Sequence, residues 1–454
     1  MSDAVQIGGT SATPSAPQTA GTSEQRPPVP GLVGLVWGLL LVNTLGTADV
    51  PLIIPLPNMV TQGVTMGALA CAFGLALLLN PRVRMQPSAY LLLLTLLVVL
   101  SVASSMRLES GFGALVRCAR LALFVATLWL LSTWWRGDLR FVRYHLRALS
   151  AVLLTVLAGL AVSPGSAMAG PSGRLSGVIW PIPATQVAQY SAVASGLAVM
   201  LWLTRRTDGR STALVVVPAV TMLLLSHTRT ALLGLVVALA VTSLGLAIRS
   251  ARARRALSVA VVLSTVGAVA FGQAIRRWLS RGQDTEQVAN LTGRQKVWDL
   301  LLAEERTAVE QLFGIGLGDK GFAGLSIDGS WLAVYHEQGW VGIAIVAAML
   351  GVLIVTAVLR PPSPARACAA FLIGYCLVAT YTEVGLGDVS PYLLHLAVAA
   401  SLLVPGGGKN GRSGSDRVRT HHNQASWNAG RPNMPSPSPS LHVNRRPAEG
   451  DGES

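Results

Sequence analysis

Charge is scarce in this chain: 12% of the residues are Asp, Glu, Lys or Arg, and only 21 of 454 are acidic. That excludes a highly charged disordered chain. Cysteine is scarce as well. The four present, Cys71, Cys118, Cys368 and Cys376, all sit within or beside apolar runs, at spacings that suit neither a disulfide framework nor a zinc site. No basic segment leads into an apolar stretch near the start, so residues 1–30, rich in Ser, Thr, Pro, Gly and Ala, read as a disordered tail and not a signal peptide. There is no clear internal repeat, and no alternation of apolar and polar residues of the kind barrel strands need.

What is present is hydrophobic. Such residues make up 51% of the chain and the mean hydropathy is +0.52, which places it among integral membrane proteins. A helix needs about 20 mostly apolar residues to cross a bilayer, and backbone in lipid must satisfy its own hydrogen bonds. The expected fold is therefore all-α and polytopic, with about twelve spans near 31–48, 62–80, 88–105, 113–133, 148–163, 186–204, 213–226, 231–248, 257–272, 338–358, 367–384 and 391–404. With the N-terminus inside, the five inner connections hold fifteen arginines, including Arg136, Arg140, Arg143, Arg147, Arg252 and Arg254. The five short outer ones hold only Arg107, Arg174 and Arg229. The positive-inside rule then puts both termini in the cytoplasm and the long polar loop 273–337 outside. The basic balance, formally +14, is topology signal plus a basic C-terminal tail (405–454, with a Pro-Ser repeat), and it requires no nucleic acid.

Function should concentrate at the outer face. Arg229 lies in a tight reversal, Ser226 to Leu233, where a basic residue runs against the topology rule; it either binds an anion or snorkels to the headgroups. His227 beside it is a secondary candidate that would otherwise satisfy loop carbonyls. Arg174 lies among glycines and before Pro181 and Pro183, which forbid regular helix. It marks either a ligand loop or an ordinary surface loop. Arg294 opens an amphipathic segment whose Val297, Trp298, Leu301 and Leu302 would share a face on the bilayer surface. Near a helix N-terminus it suits an anion, unless it is one solvated charge among several. Gly314–Asp319 is glycine-rich without being a phosphate loop, and reads as flexible. Asp328 is either the base for an acceptor hydroxyl or the N-cap of the next helix. Tyr335 shares its stripe, and His336 is an alternative base or an exposed interfacial histidine.

Taken together, these residues resemble the O-antigen polymerase/ligase family of bacterial membrane glycosyltransferases. The resemblance covers roughly residues 150–350. Arg174 falls in an Arg-Leu-x-Gly-like segment before a proline turn. Ser226–Leu233 is similar to a Ser-Arg-x-x-Leu-Leu turn, with two residues inserted before Arg229. Thr292-Gly293-Arg294 through Trp298 fits Ser/Thr-Gly-Arg-x-x-x-Trp, Gly314–Phe322 resembles a Gly-x-Gly-x-Gly stretch, and Asp328–Gly342 resembles the closing motif. Aligned on Gly339, the family's histidine is Asp328 here and its asparagine is Gly329, which favours a polymerase over a ligase and puts a histidine mechanism in doubt.

The resemblance implies a polyprenyl (undecaprenyl) diphosphate-linked oligosaccharide as donor. It implies synthesis of a surface polysaccharide of the O-antigen, exopolysaccharide or capsule type at the outer face of the cytoplasmic membrane. A chain-length regulator and a flippase of the same pathway are the partners it suggests. Arg174, Arg229 and Arg294 would meet the diphosphate and Asp328 the acceptor hydroxyl, with no metal and no cofactor. Two other readings compete. A metal-dependent lipid-sugar transferase usually carries an acidic pair in the first outer loop, where this chain has only Asp49. A transporter for lipid-linked sugar would place charge at the midplane, where only Arg117 and Arg120 are candidates.

Overall fold

The computed structural model describes residues 30–46, 50–55, 57–107, 111–169, 173–248, 250–280, 294–318, 321–322 and 325–405. Both tails, Asp49, Arg249, Thr292-Gly293 and Asp319 therefore lie outside the described residues. The helices are α1 (Pro30–Asn43), α2 (Asn58–Leu79), α3 (Ala89–Arg107), α4 (Gly111–Leu131), α5 (Arg140–Val162), the single turn α6 (Pro164–Ala167), α7 (Ala184–Leu203), α8 (Gly209–Leu225), α9 (Arg229–Ala247) and α10 (Ala251–Ser280). They continue with α11 (Arg294–Ala303), α12 (Ala308–Phe313), α13 (Ser330–Leu359), α14 (Pro364–Ala379) and α15 (Pro391–Leu402), with a short antiparallel pair, β1 (Gly321–Phe322) and β2 (Leu325–Ser326), before α13. Each of the twelve apolar stretches coincides with a helix. Among the described residues eight of these are long and apolar enough to cross a membrane; α1, α8, α14 and α15 are shorter.

The bundle is built around α7, whose apolar window is 89% buried and which packs against α5, α8, α9 and α14. Its small residues let neighbours approach closely: a Cβ on Gly196 would lie 1.8 Å from the Phe371 ring of α14. At the other extreme no residue of the α10 window is buried, and its valines and Leu263 are turned outward, as suits a helix bathed in lipid.

The structure differs from the sequence reading in two places. Helix α10 passes a kink at Phe271 (φ −116°, ψ 16°) and runs on to Ser280. Helix α13 begins at Ser330 and is broken at Gly339 (φ 65°, ψ −164°). Both ends of the supposed loop 273–337 are therefore helical, because the polar residues there still complete helical turns. The second difference is the last apolar stretch. Gln338 Nε2 donates to Ser101 Oγ (2.8 Å) and to Gly387 O (2.7 Å), while Tyr90 Oη donates to Leu393 O at 2.9 Å. The chain from Gly387 to Leu393 thus descends alongside α3 for the distance between Ser101 and Tyr90, roughly 16 Å at helical rise. Residues 385–390 are buried, so an irregular segment enters the bundle and α15 begins inside it. Pro391 at its first turn, and Ser390 accepting from Leu393 N, start that helix.

Candidate functional site

Arg174 and the turn before Arg229 come together. The backbone of Leu175 donates to Leu225 O at 3.0 Å, which docks the 173–183 loop on the end of α8. The Arg174 guanidinium then donates through Nε to Ser226 O and through Nη2 to Thr228 Oγ1, both at 3.1 Å. Gly173 at φ 63° and His227 at φ 50° make the reversals that permit this. Thr228 is the N-cap of α9 but gives the helix no side-chain cap; its hydroxyl faces Arg174 and Ser226 O instead. The first amides of α9 and the positive end of its dipole thus lie next to two arginines, which is favourable ground for an anion. His227 stacks on Trp278 (centroids 5.7 Å apart), whose indole donates to Leu224 O at 3.1 Å. The end of α10 is folded over the turn by these contacts.

The same place holds a carboxylate that the sequence reading missed. Thr230, one residue after Arg229, donates to Glu383 Oε1 at 3.2 Å. Glu383 in turn accepts on its backbone oxygen from Ser330 Oγ at 2.6 Å. Ser330 stands two residues after Asp328, and Trp298 Nε1 donates to Asp328 O at 2.8 Å. One chain of contacts therefore runs from Arg174 through the 226–230 turn and Glu383 to the Asp328–Ser330 corner. Asp328 is not the N-cap of α13: that position is Gly329, at φ 130°, and no side chain caps the helix. A Cβ on Gly329 would lie 3.2 Å from Tyr381 O and against the Trp298 ring, so the tight corner requires glycine.

Arg294 begins α11, and its side chain lies outside the described residues. The buried face of α11 is Val297 and Leu301, packed on Ile327 and Ala333, while Leu302 is 62% exposed. The helix packs on the approach to α13 through Val297, Trp298 and Leu301 of the expected face, and only Leu302 departs from it. His336 is buried, not exposed. Its Nδ1 accepts from Arg306 Nη2 at 2.6 Å, and Arg306 also lies 5.2 Å over the Tyr335 ring. Tyr335 and His336 thus form a separate cluster around Arg306. Nor is the glycine run a loose loop. The amides of Ile315 and Gly316 donate to His336 O and Glu337 O, both at 3.0 Å, satisfying carbonyls that the Gly339 break leaves without helical partners.

Deeper in the bundle Arg117 on α4 pairs with Glu337 (2.8 Å) and Asp388 (2.8 Å) and donates to Gly318 O. Arg120, one turn on, donates to Asn43 O. Both carboxylates are almost wholly buried. The only sequence signal was that Arg117 and Arg120 interrupt an apolar span; the partners of Arg117 lie more than 200 residues away. Among the described residues no group of three or more His, Cys, Asp or Glu is placed to hold a metal ion. All four cysteines are free thiols. No protein-family model matches the chain, and no curated protein sequence matches it significantly.

Proposed function

We propose that this protein is a multi-pass glycosyltransferase of the O-antigen polymerase/ligase type, with twelve spans and both termini in the cytoplasm. It joins lipid-linked oligosaccharide repeat units at the outer face of the cytoplasmic membrane, with loss of polyprenyl diphosphate. One observation carries this reading: Arg174 is bonded to the turn that leads into Arg229, and Glu383 and the Asp328 corner adjoin it. Glycosyl transfer needs that combination. The acceptor hydroxyl gives its proton to a carboxylate, its oxygen attacks the anomeric carbon, and the bond to the diphosphate breaks with the electron pair leaving on phosphate. Guanidinium groups meet that growing charge bidentately and stay protonated, and attack opposite the leaving group inverts the anomeric centre. Asp328 is the proposed base, and Glu383 is the second carboxylate within the cluster. Arg294 is proposed as the third diphosphate ligand from its place in the motif.

A transporter is favoured by a different observation. The buried Arg117–Glu337–Asp388 cluster sits on a broken helix and an irregular segment, the kind of element on which transporters build their sites. One assay separates the readings: purified protein in lipid, given polyprenyl-diphosphate oligosaccharide without added metal, with products resolved by length. A ladder lost in folded Arg229→Ala and Asp328→Ala identifies a polymerase. A single transfer that requires a separate acceptor identifies a ligase. No transfer from a donor shown to be native would sink the enzymatic reading in favour of transport.

A further inference from the structure

A basic pocket of about 410 Å³ lies at the end of the bundle that the arginine bias assigns to the cytoplasm. Three arginines from two connections line it. Arg140 and Arg143 come from the first turn of α5, and Arg206 from the turn between α7 and α8. A further wall is Ser363, Pro364 and Ala365, where α14 begins.

Backbone contacts fix these walls. Gly137, also in the lining, donates through its amide to Ser401 O at 3.1 Å. Its φ of 68° brings it so near the end of α15 that a Cβ would lie 2.6 Å from Val404 O. Arg206 N donates to Leu201 O at 2.8 Å across Arg205, which takes φ 59° in a position that helices usually give to glycine. That turn holds Arg206 at the pocket, at the cost of left-handed backbone on a residue with a side chain.

Charge in the pocket is unbalanced. Asp138, the one acid in the lining, is taken by Arg140 at 3.1 Å. Asp208, two residues after Arg206, is engaged as the N-cap of α8 and accepts from Ser211 N. Among the described residues neither Arg143 nor Arg206 is within ion-pair distance of a carboxylate. Arg360 lies beside Gly137 and donates to Leu402 O, and Arg366 donates to Arg360 O, so each of these meets a carbonyl and not an acid. In the first turn of α14, Pro364 has no N–H, Arg366 N donates to Ser363 Oγ and Ala367 N donates to Ser363 O. The amide of Ala365, at the pocket wall, is the donor left over. Two guanidinium groups without carboxylates, beside that amide, suit a phosphodiester anion.

A second cavity points to a lipid as the carrier of that anion. It measures about 420 Å³ and lies between α9 and α14, and Ser363 lines both cavities. Val241, Leu246, Ala367 and Ala370 line it, with Arg366 beside them. A Cβ on Gly245 would meet nothing within 4 Å, and Val241 is 67% exposed, so this groove opens where acyl chains run.

We propose that the two cavities form one site for an anionic phospholipid. Its phosphodiester lies with Arg143 and Arg206, and an acyl chain lies in the groove between α9 and α14. Basic pockets between helices on the cytoplasmic side suit such headgroups. The bound lipid ties the starts of α5 and α14 to the turn between α7 and α8. The site requires no particular reaction at the opposite face, so it holds for a transferase and a transporter alike.

The test is native mass spectrometry of delipidated full-length protein in detergent. The titrants are dioleoyl phosphatidylglycerol, phosphatidylcholine with the same chains, and glycerophosphate, which has no chains. Phosphatidylglycerol should bind at about a tenfold lower concentration than phosphatidylcholine. Arg143→Ala/Arg206→Ala should weaken it about 30-fold, and Gly245→Trp, which puts a ring into the groove, should weaken it as well. Arg254→Ala/Arg255→Ala removes the same charge from exposed positions in the first turns of α10 and should leave binding unchanged. If the pocket double variant does not fold, Arg206→Gln alone makes the same test. Equal affinity for phosphatidylcholine, or an equal loss in the α10 variant, would overturn the proposal and leave only a non-specific lipid surface. Full displacement of the lipid by glycerophosphate would overturn it too, and would mark a site for soluble phosphate esters.

Discussion

Arg174 illustrates what a single side chain contributes here. Its guanidinium reaches a carbonyl and a hydroxyl of the 226–228 turn at once, a planar fork that a lysine ammonium cannot reproduce. Removing an electrostatic stabiliser of a developing anion costs about 10²–10³ in kcat. Arg174→Ala and Arg229→Ala should each show a loss of that size in the transfer assay while the protein elutes as a monodisperse peak, and Arg174→Lys should not restore the rate. Wild-type turnover in Arg174→Lys would reduce Arg174 to a point charge. A second residue gives a pH dependence. Hydrogen bonds from the Thr307 hydroxyl and backbone hold the Glu310 carboxyl below its ordinary value. A carboxylate lowered on folding stabilises the fold above its unfolded pKa and loses that contribution as pH falls through the folded one. Thermal unfolding of wild type and Glu310→Gln should therefore differ at neutral pH, and the gap should close in acid, below about 4.3. A gap independent of pH would show that the capping box does not depend on the charge.

At the scale of elements, the informative pieces are the two irregular ones. Non-helical backbone inside a membrane bundle persists only where protein satisfies its polar groups. The irregular 380–390 segment meets that requirement through Gln338, Ser330 and Arg117. Asp388→Ala would leave Arg117 with Glu337 alone and would remove the segment's anchor. Breaking a buried pair in this way costs about 3–5 kcal/mol, so its melting temperature should fall well below that of an exposed control such as Asp138→Ala. An unchanged melting temperature would mean that Arg117 finds another partner at no cost. Gly339→Ala should be as damaging, because it imposes left-handed backbone on a residue with a Cβ and drives that carbon into Leu312 O, 2.4 Å away. These irregular pieces also join the two polar regions: Glu383 reaches the Arg174 side and Asp388 the Arg117 side, five residues apart on one strand of chain.

For the whole molecule, the helical membrane class and the places of the helices were legible because long apolar runs have one stable form in lipid. The meeting of Arg174 with the Arg229 turn was foreshadowed, since both interrupt that pattern in short connections expected at the same end. Glu383, Asp388 and the entry of the 380–390 chain into the bundle were not legible. A carboxylate's role depends on partners brought near by folding, and a short apolar stretch looks the same whether it crosses the bilayer or starts within it. Of the two readings open for Asp328, base or cap, the cap fails for a local reason: Gly329, held against Trp298 and Tyr381, takes that position. We propose that the end of the bundle bearing Arg174 and Arg229 binds the diphosphate of a lipid-linked sugar. The most direct measurement is the affinity of detergent-purified protein for sugar-free polyprenyl diphosphate, in wild type and in the Arg174→Ala/Arg229→Ala double variant. Loss of about 100-fold or more in affinity, roughly 2.7 kcal/mol, with unchanged thermal stability, is the predicted result. Equal affinity in the two folded proteins would contradict the claim.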